Sequence, residues 1–248
     1  MEYVERSYRR QFRQEDLAFF RVVVRQTDLS VGIRKDRIST DLTRWVEEMV
    51  QEQRVLLENY IEADPVFLNT LAPHKVMPGA PPMAVEMAEA AGRAGVGPMA
   101  AVAGAFAQYV GQALARRSKD VIIENGGDIY LRSTRLRRIG VFAGESALSN
   151  RIAIEVRPED TPLGICTSSG TVGPSLSLGK ADAAVILSPS AILADAVATA
   201  AGNLVQNKED IQPAAEYAAG IDGVTGALII KGDRLAACGK LKLVPLNM

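Results

Sequence analysis

The chain has 248 residues and a formal net charge of −1; 48% of its residues are hydrophobic and 23% are charged. This composition is that of a folded globular protein and excludes a disordered chain. With no basic block or acidic tail, the charge gives no reason to expect nucleic acid or an anionic membrane as a partner. The charged start MEYVERSYRRQF lacks an apolar stretch of signal-peptide length, which predicts a cytoplasmic protein.

The N-terminal part of the chain predicts a β-hairpin followed by a long helix. Two runs rich in β-branched and aromatic residues, 17–26 and 29–35, flank Thr27 and Asp28, where we expect the turn. Apolar residues at three- and four-residue spacings then predict an amphipathic helix from about Asp41 to Asp64. The proline-rich segment 71–82 predicts an extended connection.

Two alanine-rich helices are expected next, over 83–94 and from about Pro98 to Arg116. The second lies in GVGPMAAVAGAFAQYVGQALA, which is uncharged for about the length of a membrane-spanning helix. Because its apolar residues are mostly alanine, and Pro98, Gln108 and Gln112 interrupt it, we expect a tightly packed buried helix instead of a membrane span. That helix can pack within the monomer or across a homodimer.

The remainder of the chain reads as strands with one long inserted helix. Strands are expected around a break at Gly126-Gly127, then at RRIGVFAG, NRIAIEVRP and ADAAVILSPS, and the helix over 190–205. The C-terminal segment predicts strands with a turn at Lys231 to Asp233. The irregular order of helices and strands predicts an α+β fold with a mixed or antiparallel sheet, in one domain over 1–248.

The predicted long helix carries the first candidate for chemistry. Asp195 and Thr199 are four residues apart and so share one helical face. A carboxylate and a hydroxyl side by side suit a hard cation such as Mg²⁺. The alternative is a polar stripe in which Thr199 bonds its own helix or Asp195 caps a structural element.

A second candidate is ENGGDI (124–129), here called the glycine turn. Two adjacent glycines let the backbone turn sharply or approach a ligand closely. Asn125 and Asp128 can then present polar groups beside Gly126 and Gly127. A bulge or turn within a sheet explains the same pattern equally well.

The third candidate is GICTSSGTVGPSLSLGKAD (164–182), here called the serine loop. Its glycines permit an anion-binding arrangement of backbone amides, and its hydroxyls can donate to phosphate. The pattern is not a Walker A loop, because GxxxxGK[ST] is absent. Cys166 has no histidine near it in sequence, and His74, the chain's single histidine, lies in the proline-rich connection. The residues singled out are Thr167, Ser168, Ser169, Gly170 and Thr171.

Taken together and in this order, the three segments resemble the ApbE-like superfamily, the FAD:protein FMN transferases. The family's N-x-G-G-D-[IV] segment corresponds to Asn125–Ile129, its threonine-serine-glycine segment to Thr167–Gly170, and its A-D-A-x-A-T helix to Ala194–Thr199. The similarity covers about residues 95–205. It is strongest to a shorter branch of the superfamily, whose members read much like ENGGDIYL and CTSSGTVGPSLSLGKAD.

The resemblance implies an activity and a set of ligands. In the parent family FAD binds with its pyrophosphate against Mg²⁺, and FMN is transferred to a hydroxyl of a target protein while AMP leaves. Carried over, the metal ligands are Asp195 and Thr199, and the glycine turn and serine loop contact the FAD or FMN. No target protein is indicated.

The chain also departs from the family pattern. The histidine segment that follows the threonine-serine-glycine motif is replaced by VGPSLSLGKAD, the Y-x-R is missing, and the family's lysine position holds Val102 and its neighbours. These departures favour metal binding over protein flavinylation. The leading hypothesis is a metal-dependent transferase or pyrophosphate-cleaving enzyme acting on FAD or a related nucleotide. The alternative is a non-catalytic accessory or binding protein in sulfur metabolism, because the shorter branch is associated with sulfide assimilation.

Overall fold

A computed structural model describes residues 14–170 and 177–246. Its described strands are β1 (Leu17–Val24), β2 (Thr27–Arg34), β3 (Val121–Asn125), β4 (Asp128–Arg132), β5 (Arg137–Gly140), β6 (Ile152–Val156), β7 (Leu163–Ser168), β8 (Ala183–Ser188), β9 (Gly226–Lys231), β10 (Arg234–Gly239) and β11 (Lys242–Pro245). Its described α-helices are α1 (Thr40–Ala63), α2 (Pro65–Asn69), α3 (Pro82–Ala94), α4 (Val102–Ala115), α5 (Ala191–Leu204) and α6 (Ile211–Ala219). A 3₁₀ turn, Pro98–Ala101, precedes α4.

The strands form two antiparallel sheets. Eight of them make the large sheet in the order β1-β2-β3-β4-β7-β8-β9-β10, and β11-β6-β5 make the small one. The expected α+β class with an antiparallel sheet is therefore confirmed. Successive side chains of a strand point to opposite faces, and the core divides accordingly. Along β3, for example, Ile123 packs in the core shared with the helices and Ile122 in the core shared with the small sheet.

The N-terminal hairpin turns earlier than the sequence predicted. Thr27 and Asp28 are the first residues of β2, not the turn, and Thr27 pairs with Val24. The turn is Arg25-Gln26, where Arg25 adopts a left-handed φ of 52°. Helix α1 begins and ends within a residue or two of its prediction, with the Ser39 hydroxyl capping its first turn.

The serine loop begins as a strand, which corrects its interpretation as a continuous loop. Residues Leu163–Ser168 form β7, which pairs with β4 on one side and β8 on the other. In the segment LGICTS the first four residues are buried and the last two half-buried, because β4 and β8 flank the strand and helix α5 packs on it. Thr167 and Ser168 therefore lie at the end of a central strand and not in an irregular loop.

The alanine-rich segment is a buried helix of the core, as predicted. Helix α4 packs between the large sheet and the other helices, with Phe106 and Leu114 buried. In the described part of the chain, no helix combines the length and the apolar character needed to cross a bilayer.

Candidate functional site

The glycine turn is the tight connection between β3 and β4. Asn125 pairs with Asp128 across it, and Gly126 and Gly127 take φ values of 71° and 109°, which side chains with a Cβ rarely adopt. The Glu124 carboxylate accepts the Gly127 amide at 2.9 Å, which holds the turn from within. The structure thus confirms the hairpin-turn interpretation of this segment.

The turn lies against the end of β7. The Thr167 amide donates to Oδ1 of Asp128 at 3.1 Å, and a Cβ built on Gly127 would lie 3.7 Å from the Thr167 carbonyl oxygen. Asp128 is 6% exposed. The glycine turn and the serine loop therefore meet at the buried carboxylate of Asp128, which fixes the backbone of the serine loop at Thr167.

Asp195 joins this cluster from helix α5. Its Oδ2 accepts the Gly104 amide at 2.8 Å, in the first turn of α4, and Asp195 is 8% exposed. The Asn125 side-chain amide donates to the carbonyl of Ala103 at 3.1 Å, so the glycine turn contacts the same helix start. Asp195 consequently caps α4, as the structural alternative predicted, and lies with the glycine turn at one end of that helix.

The two buried carboxylates have strongly perturbed acidity. Burial raises the pKa of Asp195 to about 7, against the opposing effect of the Gly104 and Ala103 amides. Burial also raises the pKa of Asp128 well above its ordinary value, and the nearby charge of Asp195 raises it further. Among the residues that the structure describes, neither carboxylate forms an ion pair. Two adjacent buried acids without a cationic side chain mark a place that favours a positive charge.

Cys166 lies beside these acids in β7 and is inert as a nucleophile. Burial raises the pKa of its thiol well above the ordinary value, and the charges of Asp128 and Asp195 add to this effect. Its Sγ donates to the carbonyl of Ala191 at 3.3 Å. The cysteine therefore serves as a small buried donor between β7 and α5.

The two described ends of the serine loop are bonded to each other, and its second end is held against the C-terminal end of α5. The Gly170 amide donates to the Ala181 carbonyl at 2.9 Å, and the Lys180 amide donates to the Val205 carbonyl at 2.7 Å. A Cβ on Gly179 would lie 1.9 Å from the Gly202 carbonyl oxygen, so only glycine permits this approach. Ser168 and Ser169 are half-buried beside this anchored region.

Of the remaining predicted site residues, the structure describes Thr199 but not Thr171. Thr199 is half-buried on α5, one turn beyond Asp195. Thr171 lies outside the described residues. Four residues near the carboxylates were not singled out from the sequence as site residues: Gly104, Gln108, Glu124 and Ala191. A glutamine inside an otherwise alanine-rich helix was the available signal, since a buried amide needs a partner.

His74 and Cys238 have other surroundings. His74 Nε2 lies 2.7 Å from a carboxylate oxygen of Asp64, which also accepts the Tyr60 hydroxyl at 2.8 Å. Cys238 is partly buried on β10 and, like Cys166, is a free thiol. The only histidine of the chain is thus engaged between α1 and the proline-rich connection.

The donors at the carboxylate cluster fit a hard divalent cation. Asp128 and Asp195 offer carboxylate oxygen atoms. The described part of the chain contains no cluster of three or more histidine, cysteine or acidic side chains able to hold a metal by themselves. Mg²⁺ is typically bound by one or two carboxylates, with water and substrate phosphate completing its coordination. The pair therefore suits a cation that a phosphorylated ligand helps to hold.

The architecture is that of known flavin transferases. The apo crystal structure of the flavinyl transferase ApbE from Pseudomonas stutzeri aligns with a TM-score of 0.56 over 90% of this chain and 93% of that protein, at 14% sequence identity. A mutant of the flavin transferase ApbE from Vibrio cholerae aligns with a TM-score of 0.58 over 94% and 98%, at 12% identity. These similarities define the class of fold.

The chain belongs to the family described as AbpE bacteria, whose model matches residues 9–227. It is 41% identical over 197 residues to a UPF0280 protein of Methanosarcina acetivorans, covering 79% of this chain and 78% of the relative. It is 43% identical over 186 residues to a UPF0280 protein of Methanocella arvoryzae, covering 75% and 76%. The resemblance to the ApbE-like superfamily drawn from the sequence motifs is confirmed.

Proposed function

We propose that this protein binds Mg²⁺ together with FAD, FMN or a related nucleotide, and that it recognises the nucleotide through its phosphate or diphosphate. Membership of the AbpE bacteria family and the shared architecture with proteins named flavin transferases support a flavin ligand. The buried carboxylates support a cation, and a cation beside hydroxyls and glycines favours a phosphorylated ligand.

The observation that carries the proposal is that the buried position 195 holds an acid, not a neutral amide. The amide of Ala191, at the start of α5, is accepted by the neutral side chain of Gln108 at 2.8 Å. A neutral amide oxygen therefore suffices to cap a buried helix start in this core. The equivalent position on α5 holds a carboxylate instead, although its burial is costly. Capping needs an oxygen at position 195 but not an ionisable group, and a cation that binds the ionised form accounts for the acid.

In this arrangement Asp195 and Thr199 hold the metal from one helical face, and Asp128 faces it from the glycine turn. Mg²⁺, when bound, neutralises charge on phosphate oxygens and orients the group that departs. The chain's own residues perform the positioning. Asp128 fixes the end of β7 through the Thr167 amide, and so holds the strand end that leads into Ser168 and Ser169.

A second candidate is a binding protein without transfer chemistry, with sulfur metabolism as the expected setting. It is favoured by the position of His74, which contacts Asp64 and so offers no base at the carboxylate cluster. Such a protein would retain the cation and the nucleotide and release no product.

Thermal unfolding measured with FAD, FMN and ADP, each with Mg²⁺ or with EDTA, tests the binding proposal. We expect the wild type to be stabilised by at least one of these ligands with Mg²⁺ and not with EDTA. Asp195→Asn, which keeps an acceptor for the Gly104 amide, should abolish the effect. The proposal fails if no ligand stabilises the wild type, or if Asp195→Asn responds as the wild type does. A chromatographic assay for AMP released from FAD distinguishes the two candidate functions, because an enzyme releases AMP and a binding protein does not.

A further inference from the structure

The first turns of α4 and α5 are each capped by a side chain from the next turn of the other helix. The Gly104 amide of α4 donates to Asp195 of α5, and the Ala191 amide of α5 donates to Gln108 of α4, both at 2.8 Å. In each helix the donor amide and the acceptor side chain are four residues apart, one helical turn. Both hydrogen bonds are buried, and Gln108 is 6% exposed.

Among residues 14–170 and 177–246, no other side chain caps the Gly104 amide or the Ala191 amide. The residue before α4 is Ala101, which has no capping group, and the Ser190 hydroxyl before α5 accepts the Leu193 amide. The amides of a first helical turn have no acceptor within their own helix. Gln108 and Asp195 therefore supply acceptors that the buried helix starts require.

The helices are also packed too closely for their register to vary freely. A Cβ built on Gly104 would lie 2.3 Å from the Ala191 carbonyl oxygen and 2.8 Å from the Asp195 Cβ. A Cβ on Gly164 of β7 would lie 2.4 Å from the Ala191 Cα, and the Cys166 thiol donates to the Ala191 carbonyl. Ala191 is thus the point at which α4, α5 and β7 meet.

We propose that Gln108 is a positioning residue for Asp195. By accepting the Ala191 amide, Gln108 fixes the start of α5 on α4, and this sets the depth at which Asp195 projects one turn later. The consequence for metal binding rests on the function proposed above; the consequence for the Gly104 hydrogen bond does not. Removal of Gln108's acceptor should loosen the Gly104–Asp195 bond and, with it, the cation site.

The test compares Gln108→Met, which keeps the length of the side chain and lacks the acceptor, with Gln112→Met. Gln112 is exposed on the same helix and serves as the matched control. Amide hydrogen exchange followed by NMR reports on Gly104, and Mn²⁺ binding followed by electron paramagnetic resonance reports on the site. Gln108→Met should lower the protection of the Gly104 amide by about 10-fold, the factor expected for one net hydrogen bond. It should also weaken Mn²⁺ binding by about 10-fold or more, as is usual when a group that orients a ligand is lost.

Gln108→Glu should restore both properties, because a carboxylate oxygen can accept the same amide. Gln112→Met should change neither. Wild-type Gly104 protection and Mn²⁺ affinity retained in Gln108→Met would overturn the inference, even if the variant unfolds at a lower temperature. If Gln108→Met does not fold, amide hydrogen exchange in the wild type tests the inference instead. The hydrogen bonds of the Ala191 and Gly104 amides are then expected to open together. A freely exchanging Ala191 amide would contradict the inference. If the wild type binds no Mn²⁺ but its Ala191 and Gly104 amides exchange together, the proposed function is contradicted and the positioning role of Gln108 is not.

Discussion

Replacement of Asp195 by asparagine should stabilise the metal-free protein at neutral pH. Asparagine retains an oxygen that can accept the Gly104 amide, and it removes a charge whose burial raises the pKa of Asp195 to about 7. The difference between the ordinary pKa of 3.8 and about 7 corresponds to about 4 kcal/mol, at about 1.36 kcal/mol for each pKa unit. An added side-chain amide that lacks a partner offsets about 1–3 kcal/mol of this.

The sign and the pH window follow from the raised pKa. Between about pH 4 and about pH 7 the unfolded chain loses the Asp195 proton while the folded protein keeps it, so wild-type stability falls as the pH rises. Asp195→Asn lacks this loss. Its advantage in unfolding free energy should therefore grow across that window and level off above it, at between about 1 and 3 kcal/mol.

Urea unfolding in EDTA, followed by circular dichroism at several pH values, measures this difference. Asp195→Ala is the control, because it removes both the charge and the acceptor for the Gly104 amide. A loss of stability at about pH 8 that is as large in Asp195→Asn as in Asp195→Ala would contradict this prediction. That result would mean that Asp195 is a structural cap whose charge carries no penalty.

Three further predictions concern packing and a second carboxylate. Gly104→Ala should destabilise the protein by about 1–3 kcal/mol in urea unfolding and weaken Mn²⁺ binding, because the added Cβ overlaps the first carbonyl of α5. The control is Gly92→Ala, in open space on α3, which should stabilise the protein by about 0.5–1 kcal/mol. Equal effects of the two substitutions on stability would contradict the packing argument. Gly179→Ala should loosen the serine loop, seen as faster exchange of the Lys180 amide, and unchanged exchange would show that the close approach is dispensable. The hydrogen bond from His74 lowers the pKa of Asp64, so the ionised carboxylate stabilises the folded state above about pH 4 and this contribution is lost on acidification. Asp64→Asn should therefore be less stable than the wild type near neutral pH, with a gap that narrows below about pH 4 in thermal unfolding; a gap independent of pH would contradict this.

Local patterns predicted the elements whose own residues carry the signal. The apolar spacing from Leu42 onward gave α1, and the paired glycines gave the turn between β3 and β4. Strand β7 was missed because the glycine, cysteine and hydroxyl residues of LGICTS are typical of a loop, whereas its pairing with β4 and β8 depends on residues outside the segment. The turn of the first hairpin was misplaced for a similar reason. Its position is set by the register in which β1 pairs with β2, and a single run of residues does not express that register.

The candidate site shows the same division between local and long-range information. Asp195 and the glycine turn could be singled out because motifs mark them. The contact between Gln108 and Ala191 joins residues 83 positions apart and exists only once α4 has packed on α5. The perturbed acidity of Asp128 and Asp195 also arises from burial and from their proximity in the fold, neither of which a sequence pattern expresses.

The most direct test of the central claim is calorimetric titration of FAD into the wild type and into Asp195→Asn, each with Mg²⁺ and with EDTA. Asp195→Asn is suitable because it should remain folded. We expect the wild type to bind FAD at least about 10-fold more tightly with Mg²⁺ than with EDTA, which equals about 1.4 kcal/mol, and we expect Asp195→Asn to lose this dependence. Absence of FAD binding, or equal Mg²⁺ dependence in both proteins, would contradict the central claim.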